Sequence, residues 1–130
     1  MFTVTKNSVQ SSLSKTSYVA IAIFCATLSF ITHGIQNINV TIKENLFYPA
    51  EVIIPAYRKV KITFINQDDT PEEIDSFDLN REKVVFANSS AHIFIGPLKP
   101  GKYRFFGEYH PNSAVGFVHV VDGSEIPDAD

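Results

Sequence analysis

Downstream of the N-terminal region, the chain is made of short segments in which apolar and polar residues alternate. Val60, Ile62 and Phe64 alternate with polar residues, and segments 37–42 and 118–120 show the same period of two. Pro, Gly, Asn and Asp separate these segments, and no long segment has helical periodicity. A period of two is typical of a strand with one buried face. The pattern therefore predicts an all-β sandwich.

The segment before residue 103 predicts a tight turn that leads into a strand. Pro100 and Gly101 would occupy the two central positions of a type II turn, in which glycine supplies the positive φ. In the strand 103–109, Tyr103 and Phe105 share one face. We expect such alternating aromatic residues to fill the core of the sandwich rather than to form a ligand cage.

A mostly apolar stretch runs from Tyr18 to Ile31 near the N-terminus. Two lysines and no acidic residue precede it, and small residues up to Gly34 follow it, as in a secretory signal peptide. As a helix it would rise about 21 Å, less than the roughly 30 Å hydrocarbon core of a bilayer. We predict a signal peptide at residues 1–34 and a periplasmic or secreted domain at 35–122. Without cleavage, the same segment would be a membrane anchor.

The cysteine content and the charge of the chain exclude several kinds of site in that domain. Cys25, the single cysteine, lies inside the apolar stretch, so cleavage near Gly34 would leave no thiol for disulfides, thiolate copper or cysteine-bound zinc. Beyond residue 34 there are nine Lys and Arg against fourteen Asp and Glu, which disfavours nucleic-acid binding. Several of these acids fall at the C-terminus, and we expect residues 123–130 to form a flexible acidic tail.

Motifs between the apolar segments resemble those of cupredoxins in order and spacing. They are Phe47-x-Pro49, Val52 to Pro55, Pro71 before an acidic segment, Leu98-x-Pro-Gly-x-Tyr103, and His110-Pro111 to Gly116. The similarity covers residues 40–121. It implies a cupredoxin-like Greek-key β-sandwich.

The resemblance also identifies the positions of the copper ligands. Cupredoxins end a strand with Tyr-x-Phe-x-Cys, then carry His-Pro and a Met two residues before a glycine. Here Gly107 stands at the Cys position and Ala114 at the Met position, while His110 keeps the histidine. The other ligand histidine follows a proline, and that position is Glu72. The resemblance therefore implies a cupredoxin fold without a type 1 copper site.

Three segments have a closer resemblance. Residues 71–77, 80–85 and 105–114 are similar to the cupredoxin-like periplasmic subunit of bacterial ferrous-iron uptake systems that use an Ftr-type permease. The resemblance implies that acidic side chains and the histidine handle iron or copper, with a membrane iron permease as partner. The candidate metal ligands are His110, Glu72, Glu73, Glu108 and Glu82.

One imidazole with several carboxylates suits Cu(II), Fe(II) or Fe(III), and Cu(II) binds most tightly among divalent ions. Clustered carboxylates repel one another, so a bound cation relieves this repulsion. A trivalent ion is stabilised most by such a cluster. A metal-binding protein that assists iron uptake, with at most an accessory Fe(II)-oxidising activity, is the leading hypothesis. A copper chaperone or store and a metal-free interaction module are the alternatives.

A structural role for the acidic residues stays open at this point. Acids of a surface loop after Pro71 are commonly solvated, and Arg81 and Lys83 would be their ion-pair partners. Asp75 and Asp78 would then form turns. No nucleophile elbow or phosphate-binding loop occurs, so a hydrolase is disfavoured.

Overall fold

The computed structural model describes residues 34–123, which form a sandwich of nine strands. The predicted signal segment and acidic tail lie outside these residues, except for Gly34 and Gly123. The strands are β1 (Gln36–Lys43), β2 (Leu46–Tyr48), β3 (Glu51–Pro55), β4 (Val60–Asn66), β5 (Glu72–Ser76), β6 (Arg81–Val85), β7 (Ser90–Ile95), β8 (Gly101–Gly107) and β9 (Val115–Val121). Residues 34–123 contain no helix that could span a membrane.

The strands form two mixed sheets. The four-stranded sheet has the order β2-β1-β4-β7, and the five-stranded sheet has the order β3-β9-β8-β5-β6. The β1–β4 and β3–β9 pairs are parallel, and all other pairs are antiparallel. The all-β, cupredoxin-like sandwich predicted from the sequence is confirmed.

The alternating segments bury the faces that the pattern predicts. In β4, Val60, Ile62 and Phe64 are fully buried, and in β9, Val118 and Val120 are buried. These side chains meet those of β1 and β8 between the sheets, where an apolar core excludes water.

Three phenylalanines form the centre of this core. The ring of Phe105 lies 5.0 Å from that of Phe47 and 5.7 Å from that of Phe64, between centroids. Gly116, the partner of Phe105 on β9, leaves room for the ring, because a Cβ at this position would overlap it. Phe105 therefore anchors β8, the strand that leads directly to residue 107.

Two local predictions are wrong. Gly101 has a φ of 159°, which is extended, and it begins β8 opposite Val120 instead of turning the chain. The glycine with a left-handed backbone is Gly96, at φ 85°, where a Cβ would collide with the carbonyl of Arg58. In addition, Pro71 opens strand β5 and not a solvated loop, because residues after it pair with both β6 and β8.

Replacement of Phe105 by alanine is expected to destabilise the domain by about 3–5 kcal/mol, since it removes a buried ring and leaves a cavity. Chemical denaturation followed by circular dichroism measures the free energy of unfolding. Phe86→Ala is the matched control, because this ring is 70% exposed and its loss should change stability by no more than about 0.5 kcal/mol. Equal effects of the two changes would contradict the assignment of the core.

Candidate metal centre

Strand β5 sends its two glutamates to opposite sides of the five-stranded sheet. Glu72 points into the sandwich and is 1% exposed, whereas Glu73 is half-buried on the outer face. This separation follows from the period of two in a strand. The two residues therefore cannot act as adjacent ligands of one ion without a change in the backbone.

The connection between β4 and β5 positions Glu72 in the interior. The buried side-chain amide of Asn66 donates to the carbonyls of Thr70 at 2.9 Å and Val85 at 3.2 Å. Its carbonyl oxygen accepts the backbone N–H of Asp68 at 3.0 Å. These bonds fix the connection between β4 and β5, and hence the starting point of β5.

The buried Glu72 carboxyl group meets His110. Its Oε2 lies 2.6 Å from Nδ1 of the imidazole, and its Oε1 accepts the backbone N–H groups of Glu73 and Tyr109, both at 3.0 Å. Both oxygens therefore have partners, as a buried polar group requires. This contact brings the start of β5 together with the segment that follows β8.

His110 is held by a compact loop between β8 and β9. Its backbone N–H donates to the carbonyl of Gly107 at 3.1 Å, and its own carbonyl accepts the N–H of Ala114 at 2.9 Å. Gly107 and Ala114 also pair directly at 2.8 Å. The side chain of His110 is 35% exposed, so one edge of the ring faces Glu72 and part of the ring reaches the surface.

The residues present do not fit a type 1 copper ion. A Cβ at Gly107 would lie 2.6 Å from Cδ of Glu72 and 2.8 Å from Cβ of Ala114, so the space that a cysteine side chain would need is filled. Ala114 is fully buried and carries no sulfur. Such a site needs thiolate and two imidazoles, and this one offers one imidazole and one carboxylate.

The other candidate glutamates lie on the outer face of the same sheet. Asp75 is directly opposite Glu82 in the β5–β6 pair, and the N–H of Glu108 donates to the carbonyl of Glu73 at 2.7 Å. The pKa of Glu82 is raised above 4.5, first because its carboxyl group hydrogen-bonds to that of Glu73, and then by the charges of Glu73, Asp75 and Glu108. We call Glu73, Asp75, Glu82 and Glu108 the acidic face.

Tyr109 adjoins the acidic face. Its pKa is raised above 10.0, first by partial desolvation and then by a hydrogen bond to the Glu73 carboxyl group and by neighbouring negative charge. The phenol therefore stays protonated and donates towards Glu73. This contact joins the acidic face to the loop that carries His110.

The expected ion pairs of the acidic residues do not form. Between residues 34 and 123, no Lys or Arg side chain pairs with any member of the acidic face. Arg81 instead donates to the backbone carbonyls of Phe94 and Asn80, at 2.7 and 2.8 Å. The Arg81 guanidinium therefore bonds the edge of β7 and not the acidic face. Asp75 was expected to form a turn, and this prediction is wrong. Asp75 lies in β5 opposite Glu82 and belongs to the acidic face.

The five predicted ligands thus form two sets, the inner pair Glu72–His110 and the outer Glu73, Glu82 and Glu108. Within the described range, no three His, Cys, Asp or Glu side chains are gathered for a metal ion. A single site built from all five stays a prediction that would need side-chain movement. His92 and His119 lie in β7 and β9, and His119 Nε2 lies 3.2 Å from Glu51, away from His110.

Substitution of Gly107 by alanine is expected to destabilise the domain by about 1–3 kcal/mol, because the added methyl group collides with Glu72 and Ala114. Chemical denaturation measures the change. Gly123→Ala is the control, since nothing lies within 4 Å of a Cβ there. A Gly107→Ala protein as stable as the wild type would show that the site has room for a side chain.

Substitution of Glu73 by glutamine should lower the pKa of Glu82 towards 4.5, because it removes a shared carboxyl hydrogen bond and a negative charge. NMR titration of side-chain carboxyl carbons reports this pKa. Glu51→Gln removes the same charge from a distant position near Lys102 and His119, and should leave Glu82 unaffected. No change in the Glu73→Gln protein would contradict the proximity of the two carboxyl groups.

Comparison with solved structures shows the same fold at low sequence identity. The metal-binding domain of the Streptococcus pneumoniae D39 Cu(I)-exporting P-type ATPase CopA, solved with Cu(I), matches with a TM-score of 0.62 and 20% identity, over 69% of this chain and 89% of that one. Auracyanin A, a blue copper protein from Chloroflexus aurantiacus, matches with a TM-score of 0.59 and 15% identity, over 68% and 100%.

Comparison of sequences identifies the family. The uncharacterized protein RP394 of Rickettsia prowazekii (strain Madrid E) is 44% identical over 89 residues, which are 68% of this chain and 71% of that protein. The family model of the cupredoxin-like domain matches residues 16–120. With this match over most of its length, the chain belongs to the cupredoxin-like domain family.

Proposed function

We propose that this protein binds a transition-metal ion at His110 with help from the neighbouring carboxylates, and that it does not transfer electrons through type 1 copper. The observation that carries the proposal is the contact between His110 and Glu72 at the position of the cupredoxin copper ligands. An imidazole with carboxylates fits Cu(II), Fe(II) and Fe(III) by its donor chemistry.

The acidic face supports the proposal through its charge. Its four acidic side chains have no basic partner among residues 34–123, and the pKa of Glu82 is raised by a hydrogen bond to Glu73 and by the neighbouring negative charges. A cation near this face would relieve the repulsion, and Fe(III) would gain more than Fe(II). Carboxylates that rotate towards His110, together with water, would complete the coordination of the ion.

The proposed role is assistance to iron uptake. The protein would hold Fe(II), favour its oxidation because the carboxylates stabilise the trivalent product, and deliver iron to a membrane permease. Each Fe(II) would lose one electron, with dioxygen or a bound Cu(II) ion as acceptor. This role requires a periplasmic or secreted domain, or one attached to the membrane by an uncleaved N-terminal segment.

A copper chaperone or store is the second candidate. It is favoured by the same donor set, because Cu(II) binds most tightly to nitrogen and oxygen ligands, and by the fold shared with the copper-binding domain of the Cu(I) exporter. A metal-free interaction module is the remaining alternative, because Glu72 and His110 bond one another and nearby backbone groups within the protein.

Titration of the purified protein with Cu(II), followed by EPR, tests the proposal. We expect a saturable signal of tetragonal nitrogen and oxygen ligation. Substitution of His110 by alanine should weaken binding by more than the roughly 10–100-fold that follows the loss of an outer-shell group. His92→Ala is the matched control, because His92 is an exposed histidine of β7 in the other sheet.

An unchanged EPR signal in the His110→Ala protein would exclude this site. Aerobic oxidation of Fe(II) by the purified protein separates the two metal-binding roles, since a copper store would not accelerate it. If neither Cu(II), Fe(II) nor Fe(III) binds saturably, the metal-free module becomes the better account.

A further inference from the structure

We infer that Glu72 is a positioning residue for His110 and not itself a metal ligand, and that it fixes the imidazole with Nδ1 inward and Nε2 as the metal-binding nitrogen. The part of the inference that concerns metal binding rests on the proposed function. Its structural basis is independent of any metal, because it depends only on which donors surround the Glu72 carboxyl group.

The Glu72 carboxyl group is engaged by three contacts within the protein, two on Oε1 and one on Oε2. Oε1 accepts two backbone N–H groups, from Glu73 and Tyr109, and Oε2 faces Nδ1 of His110. The residue is 1% exposed, so an ion that used it as a ligand would have to enter the sandwich and displace these donors. A carboxylate only accepts hydrogen bonds, so Nδ1 carries the hydrogen.

The same contact determines which ring nitrogen of His110 is free to bind a metal ion at the surface. With Nδ1 protonated, Nε2 of a neutral imidazole carries the lone pair that binds a metal. The ring is partly exposed, and no side chain within residues 34–123 forms a hydrogen bond with Nε2. Metal-binding histidines commonly donate their other ring N–H to a carboxylate, which fixes the ring and raises its basicity.

The backbone donors make the arrangement testable with an isosteric change. In a Glu72→Gln protein, the amide oxygen would stay opposite the two N–H groups that now bond Oε1, because an NH₂ group there would face donors only. The NH₂ group would then point at Nδ1 of His110. Nδ1 would become an acceptor, and the hydrogen of the neutral ring would move to Nε2.

The first measurement is a long-range ¹H–¹⁵N NMR spectrum of the metal-free protein at a pH where its histidines are neutral. We expect the His110 ring to carry its hydrogen on Nδ1 in the wild type and on Nε2 in the Glu72→Gln protein. Glu73→Gln is the matched control, because it removes the same charge one residue away but on the outer face, and it should keep the wild-type tautomer. The amide spectrum and thermal unfolding verify that each variant is folded.

The second measurement is the affinity for Cu(II), with the expectation that Glu72→Gln weakens it by about 10–100-fold. Glu72→Asp, which keeps an acceptor but shortens the side chain, should restore part of the affinity. The same tautomer in the wild type and the Glu72→Gln protein would overturn the inference, as would equal Cu(II) affinities. Absence of metal binding with the expected tautomers would instead remove the proposed function and leave the orienting contact standing.

Discussion

The buried carboxyl group of Glu72 is the constraint on which the site depends. A carboxyl group that is removed from water must find hydrogen-bond donors inside the protein, because an unpaired one costs several kcal/mol or more. Here the donors are two backbone N–H groups and the imidazole of His110. The contact ties the start of β5 to the loop between β8 and β9, two segments separated by 38 positions in the sequence.

This site differs from a type 1 copper site at several positions at once. Glycine at 107 leaves space for the Glu72 carboxyl group, and a side chain there would collide with it. Alanine at 114 fills the remaining space with an inert methyl group. A cysteine introduced at position 107 alone would therefore collide with the side chains of Glu72 and Ala114.

Strand β5 divides the chemistry of the domain between two environments. The inward side holds one satisfied acid–imidazole pair, whereas the outward side holds the acidic face, whose charges are solvated and close together. Tyr109 connects the two, because its backbone N–H donates to Glu72 while its phenol interacts with Glu73. The domain thus places an accessible imidazole edge next to a region of negative charge, which attracts cations.

The sandwich could be predicted from the amino-acid sequence, because alternating apolar residues such as Val60, Ile62 and Phe64 bury one face when they form strands. The resemblance of the sequence motifs to those of cupredoxins also pointed to positions 107 and 114, where Gly107 and Ala114 carry no sulfur. The role of each glutamate, in contrast, depends on how distant strands come together in the fold. Adjacent residues on a strand face opposite ways, and their partners come from distant strands, so neither the burial of Glu72 nor the contact of Glu82 with Glu73 follows from local spacing.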